Sequence, residues 1–193
     1  MAIIDFTRPL VLASASPARR ELLNDTGLKF VTQIVTIDES VKAGEEVGVY
    51  CERLARAKAM AATPPSKDAV IVAVDTAIGL GGAVIGKPAD ERHAREIIKQ
   101  LSGRPHEVAS GIAVRDALKG TIGTSVVRTE VVFSPLTDAI IDWYISTGEW
   151  RGRAGAYAIQ GKGSALIASV NGCFTNVIGL SIPMLLKMLS PSP

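Results

Sequence analysis

An apolar run that opens directly into a hydroxyl-rich helix start, Leu-Val-Leu-Ala-Ser-Ala-Ser-Pro-Ala-Arg-Arg from Leu10 to Arg20, constrains this chain more than any other stretch. Leu10 to Ala13 read as a buried strand, Ser16 as an N-cap, Pro17 as the first helical residue, and Ala18 to Asn24 as a helix ended by Gly27. The positive end of such a helix and its unpaired amides favour phosphate, and Arg19 and Arg20 add guanidinium forks that suit phosphate oxygens. The same residues also suit an ordinary strand-to-helix turn with solvated arginines, so this stretch alone leaves both readings open.

The 193 residues are 47% hydrophobic and 21% charged, enough for one sizeable core or two closely joined lobes. A formal charge of +2 without lysine or arginine runs argues against nucleic acid or a membrane as a partner, so any recognition of phosphate must rest on local charge. Cys51 and Cys173 offer neither zinc spacing nor a disulfide framework, which fits a reducing cytoplasm. Met1 to Pro9 lacks the order of a signal peptide and no apolar run approaches a membrane span, so a soluble, unexported protein is expected.

Further along, Phe30 to Val35 alternates like a strand, and Thr36 to Gly44 reads as a polar loop carrying Asp38 and Glu39. Val47 to Ala62 reads as a long helix that buries Val47, Tyr50, Leu54, Ala57 and Ala61 and places Lys58 near the edge of that face. Ala69 to Val74 suits a central strand buried on both sides, with Asp75 at its end. Ala77 to Leu80 and Ala83 to Ile85 form a hairpin around Gly81-Gly82. With Leu80 opposite Ala83, Lys87 falls opposite Thr76 and Pro88 opposite Asp75. Simple alternation then sets Asp75 and Lys87 on opposite faces, so a joint role requires a bulge or a strand end. Helices are expected at Asp90 to Leu101 and Thr137 to Ser146, and strands at His106 to Arg115, Thr121 to Phe133 and Ala165 to Val170. Thr147 to Ser164, eighteen residues with five glycines, is long enough for a working loop. Asn176 to Leu189 reads as largely helical with a break at Pro183.

The polar residues at the ends of these elements, Ser14, Ser16, Arg19, Arg20, Glu39, Lys58, Asp75, Lys87 and Gln160, are carboxylates, cations and hydroxyls or an amide without a nucleophile–base set. Polyphosphate hydrolysis needs such a set, with a hard divalent cation on one or two carboxylates, cations against the leaving group, and a carboxylate to take a proton from water. Taken singly, Asp75 equally suits a cap or turn, and Glu39, Lys58 and Lys87 suit solvated surface. Gly81 to Lys87 copies the start of a P-loop, but Pro88 stands where its metal-binding hydroxyl belongs. His93 and His106 do not suggest a metal site, and Trp143 and Tyr144 read as core residues.

In order, Leu12 to Arg20, Asp38-Glu39, Leu54 to Ala59, Val-Asp-Thr at 74 to 76, Gly-Lys-Pro at 86 to 88, Leu101 to Val108, Ala154 to Gly161 and Asn-Val-Ile-Gly-Leu at 176 to 180 resemble the Maf family, over Val11 to Leu189. The resemblance implies one Maf-like domain across the chain and a cytoplasmic, magnesium- or manganese-dependent nucleoside triphosphate pyrophosphatase that cuts between the α and β phosphates. It implies a two-lobed α/β fold related to the inosine triphosphatase group, a mixed central sheet flanked by helices, a substrate cleft between the lobes and a frequent homodimer. Asp75 matches the proton acceptor; Glu39, Lys58 and Lys87 match metal and phosphate residues, with Asp75 also a metal ligand; Ser14 and Arg19 match the phosphate grip. Thr76 and Gln160 agree with the dTTP and UTP branch, whereas Ala18 stands where that branch carries Arg. The alternatives are a broad activity on non-standard nucleotides and a non-enzymatic regulator of septum formation.

Overall fold

Burial decides which of the apolar stretches become strands. The computed structural model describes residues 6–190, so Met1 to Asp5 of the N-terminal reading lie outside the described residues. All four residues of β1 (Leu10–Ala13) are buried, and the Ser16 hydroxyl caps α1 (Pro17–Asn24) by accepting from the Arg19 amide. The next strand is shorter than the alternation predicts. Only Val31–Thr32 (β2) pairs, with the Gln33 amide still donating to the Leu12 carbonyl, and beyond that β1 has ended at Ala13 and leaves Ile34 and Val35 no ladder.

The helix α2 (Val47–Ala61) follows, and β3 (Val70–Leu80) turns through Gly81-Gly82 into β4 (Ala83–Ile85). Both turn glycines have positive φ, 56° and 83°, and Leu80 pairs with Ala83 as the two-residue turn requires. After α3 (Glu91–Leu101), the strands β5 (Pro105–Asp116) and β6 (Thr121–Phe133) form a long antiparallel pair. Then come α4 (Asp138–Ser146), short 3₁₀ turns at Ala154–Ala156 and Gly161–Leu166, β7 (Ile167–Asn171), α5 (Phe174–Ile178) and α6 (Ile182–Leu189). The last strand starts at Ile167 because Ala165 and Leu166 belong to the second of those turns.

The seven strands form one mixed sheet in the order β2-β1-β3-β5-β6-β7, with β4 added to β3. This is the expected mixed sheet flanked by helices. Alternation along β3 sends Val70, Val72 and Val74 to the side of α1 and α6, and Ile71 and Ala73 to the side of α2. A separate cluster gathers α3, α4 and the far ends of β5 and β6 around Tyr144, Phe133 and Leu101. Among the described residues no helix is long and apolar enough to cross a membrane.

Three details depart from the periodicity. The buried face of α2 runs through Cys51, Leu54, Ala55, Lys58 and Ala59, whereas Ala61 is exposed and Ala57 only partly covered. Helix and sheet meet along Cys51, which sits over Gly111, and that contact sets the face. Trp143 is 45% exposed while Tyr144 is fully buried, because the buried face of α4 runs through Ile141, Tyr144 and Ile145 and Trp143 lies outside it. Asp75 is not at a strand end, because β5 pairs with β3 without interruption from Val70 to Gly79.

A Cβ at Gly111 would stand 2.3 Å from the Cys51 carbonyl carbon and oxygen, so the helix backbone rests directly on β5 there. Gly111→Ala is expected to cost about 3 kcal/mol by displacing α2, lowering Tm by roughly 6–12 °C. Gly123→Ala, in open space on β6, is the control and should change Tm little in the same thermal melt.

His106, 4% exposed, is also expected to shape stability. Burial pulls its pKa from 6.5 down to about 4. The unfolded chain therefore takes up a proton at this residue near pH 6.5 and the folded chain only near pH 4, so stability falls as pH drops through that window and levels off below it. The contribution is up to about 3 kcal/mol, and denaturant titrations of His106→Phe should show a flatter slope between those two pH values.

Candidate active site

The cleft follows from the strand ladder. Along one edge of β3, pairing with β1 stops at Ala13 opposite Ala73, and pairing with β4 starts at Ile85 opposite Ile78. Residues 74–77 therefore have no strand neighbour on that edge, and a cleft of about 780 Å³ opens against them. Its walls come from the start of α1, the loop before α2, the Gly86-Lys87 segment and the glycine-rich stretch 151–160. Ile78, Val108 and Tyr157 of the α3–α4 cluster and Ile178 from the side of α1 and α6 meet there.

Strand alternation sends Asp75 to the α2 side. Lys58, on the buried face of α2, places its Nζ 2.5 Å from Asp75 Oδ1 and 2.7 Å from Glu39 Oε1. Lys58 and Asp75 are buried and Glu39 is half exposed. The Tyr50 hydroxyl donates to the Glu39 carbonyl at 3.0 Å and so ties the polar loop to α2. Burial alone would raise the Glu39 pKa, but the hydrogen bond and charge of Lys58, helped by Lys87 and Arg19, outweigh it and hold the carboxyl below its usual value.

Thr76 faces the opposite side of the sheet. Arg19 reaches it from α1, with Nη2 donating to Thr76 Oγ1 at 3.0 Å, Nη1 to Ser14 Oγ at 3.3 Å and Nε to the Gly179 carbonyl at 2.8 Å. Thr76 Oγ1 also lies 2.8 Å from Ser110 Oγ and 3.1 Å from the Gly179 oxygen, so its hydroxyl is occupied in orienting Arg19. Burial lowers the Arg19 pKa and Asp75 and Glu39 oppose that fall. A guanidinium stays charged throughout.

The joint placement of Asp75 and Lys87 is resolved by a strand end. Because β4 stops at Ile85, Gly86-Lys87-Pro88 leave the ladder and alternation no longer governs Lys87, which lines the cleft together with Asp75. Of the residues singled out from the sequence, Ser14, Ser16, Arg19, Glu39, Lys58, Asp75, Thr76, Lys87 and Gln160 line this cleft. Arg20 does not; it is exposed on the outer side of α1. Ala18 is also absent from the walls, since it packs into the core at 7% exposure. The periodicity read Tyr50 only as core and did not single out Ser110, Arg151, Arg153, Tyr157 or the Gly179 carbonyl, although the five glycines of Thr147 to Ser164 mark the loop that carries three of them.

Five cations, Arg19, Lys58, Lys87, Arg151 and Arg153, face two carboxylates in the cleft, so it is positive in a chain whose formal charge is only +2. That balance suits a polyphosphate. Among the described residues no group of three His, Cys, Asp or Glu could hold a metal by itself. Two converging carboxylates fit a hard divalent cation only if substrate oxygens and water complete its shell, which is how magnesium is commonly bound with phosphates.

The sequence pattern of the Maf-like protein family matches residues 9–192. A dTTP/UTP pyrophosphatase of Anaeromyxobacter dehalogenans is 48% identical over 175 residues, 90% of this chain and 88% of that protein. A dTTP/UTP pyrophosphatase of Acinetobacter baylyi is 44% identical over 178 residues, 92% of this chain and 96% of that one. Among solved structures, a HAM1 protein from Coxiella burnetii aligns with a TM-score of 0.46 at 17% identity, over 83% of this chain and 91% of that one.

Replacing Lys58 by Met would leave Asp75 and Glu39 facing each other without a cation. The expected loss is about 2–3 kcal/mol near neutral pH, below the range for a fully buried pair because Glu39 is half exposed. The loss should shrink as pH falls and Glu39, whose charge Lys58 no longer favours, protonates, which chemical denaturation at pH 7 and pH 4 measures.

Proposed function

The chain belongs to the Maf family, and on that premise we propose that it is a nucleoside triphosphate pyrophosphatase acting on dTTP and UTP. The observation that carries this reading is the Glu39–Lys58–Asp75 constellation, set beside Arg19 and Lys87 in one positively charged cleft.

Asp75 Oδ1 is engaged by Lys58, so its other oxygen is the one to receive a proton from water. The water oxygen bonds to the α-phosphorus, the bond from that phosphorus to the α–β bridging oxygen breaks, and pyrophosphate leaves with the bonding pair. Arg19, Lys58 and Lys87 offset charge on the phosphate chain and on the leaving group. Glu39 and Asp75 would hold a magnesium or manganese ion, which supplies further charge neutralisation when bound. Gln160, exposed at the cleft mouth, offers an amide donor and acceptor that suit the edge of a pyrimidine. With Ala18 buried away from the walls, base selection falls to the glycine-rich stretch. The reading includes a cytoplasmic setting, supported by two free cysteines, and a homodimer as the family resemblance implies.

Pyrophosphate release from canonical and modified nucleoside triphosphates tests the reading. The native protein should prefer dTTP and UTP, lose activity to a chelator and regain it with magnesium. Asp75→Asn should lower kcat by about 10²–10⁴-fold. Broad or purine-directed release would assign a house-cleaning activity instead, and no release from any nucleotide would favour the septum regulator.

A further inference from the structure

Directly before Tyr157 the backbone takes a conformation that an L-residue rarely adopts. Gly155 and Ala156 both have left-handed φ, 65° and 60°, and among the described residues Ala156 is the one non-glycine with positive φ. Ala156 is fully buried, and a Cβ at Gly155 would stand 2.1 Å from Ile78 Cδ1, so the turn is pressed against β3. Strained backbone of this kind persists where its surroundings over-determine it, and it clusters at working sites.

Two contacts hold the turn. At its start the Gly155 amide donates to the Gly86 carbonyl at 3.0 Å, and Gly86 precedes Lys87. At its end the Tyr157 hydroxyl lies 2.9 Å from His106 Nε2, both residues being buried. Their rings and that of Phe133 pack edge to face, with centroids 4.9 to 5.5 Å apart. Burial keeps His106 neutral near pH 7, so its Nε2 and the Tyr157 hydroxyl share one hydrogen bond, while Nδ1 is buried without a partner. Tyr157 lines the cleft and His106 does not.

We propose that His106 is a positioning residue: through Tyr157 it holds the strained Gly155–Ala156 turn, which fixes Gly86 and thereby the reach of Lys87 into the phosphate site. The role rests on the pyrophosphatase reading for its catalytic consequence, while the structural link can be measured without turnover. His106 acts only through the turn.

Tyr157→Phe deletes the hydroxyl and keeps the ring packing. Hydrogen–deuterium exchange over residues 84–90 and 151–160 should rise at least tenfold in this variant, and kcat for pyrophosphate release should fall about tenfold with KM changed less than threefold. The double variant His106→Phe with Tyr157→Phe removes both polar ends, so it should recover thermal stability yet keep the fast exchange and the low kcat. In a Lys87→Ala background, Tyr157→Phe should cost less than twofold. Recovery of kcat together with stability in the double variant, or an undiminished tenfold loss in the Lys87→Ala background, overturns the positioning role. Should the native protein hydrolyse no nucleotide, the pyrophosphatase reading fails by itself. Exchange then decides, with faster exchange at residues 84–90 supporting the link and unchanged exchange refuting it.

Discussion

Helix α2 rests on the sheet with no side chain between them at Gly111, and the arrangement of the cleft depends on that contact. Gly111 is the cross-strand partner of Asp75, so the two share a face of the sheet. Cys51 sits over Gly111, and Lys58, two turns further along the same helix face, then comes within 2.5 Å of Asp75. A larger residue at 111 would lift the helix, and the lysine would lose its carboxylate. A buried ammonium requires such compensation. Here Asp75 and Glu39 both supply it, beside the gap that β1 and β4 leave along β3.

The open edge has its own cause. Two strands share one side of β3 but do not meet, since β1 ends at Ala13 and β4 begins its pairing at Ile78. Within the gap, ordinary strand alternation sends Asp75 to one face and Thr76 to the other. Acid and lysine therefore collect on the α2 side, while the arginine grip, anchored by Ser14, Thr76 and Gly179, collects on the α1 side. Two kinds of chemistry are kept apart by one peptide unit, and both face the same cleft.

The local features of this arrangement were readable from residues alone. The Ser16 cap, Pro17 start and Gly81-Gly82 turn depend on chemistry within a few positions, so the observed elements and the hairpin register match the reading. The misplaced features all depend on distant partners. Alternation at 30 to 35 yields only a two-residue strand, and β1, which ends at Ala13, leaves Ile34 and Val35 no partner. The face of α2 is turned relative to its apolar periodicity because Cys51 must sit over Gly111, and Lys58 is drawn inward with it. Arg20 looks like a partner of Arg19 in sequence, yet one helical step turns it to solvent.

The sequence by itself determined the strand-to-helix junction, the hairpin and the set of cations and carboxylates offered at the element ends, because caps, turns and charges act over short range. Tertiary structure alone decided that Asp75 lies within a strand and not at its end, that Lys87 escapes the ladder beside it, and that the glycine-rich stretch folds back to Gly86 and His106. Those outcomes rest on contacts between residues far apart in the chain, where close packing and the pairing of buried polar groups, not local propensity, select the geometry.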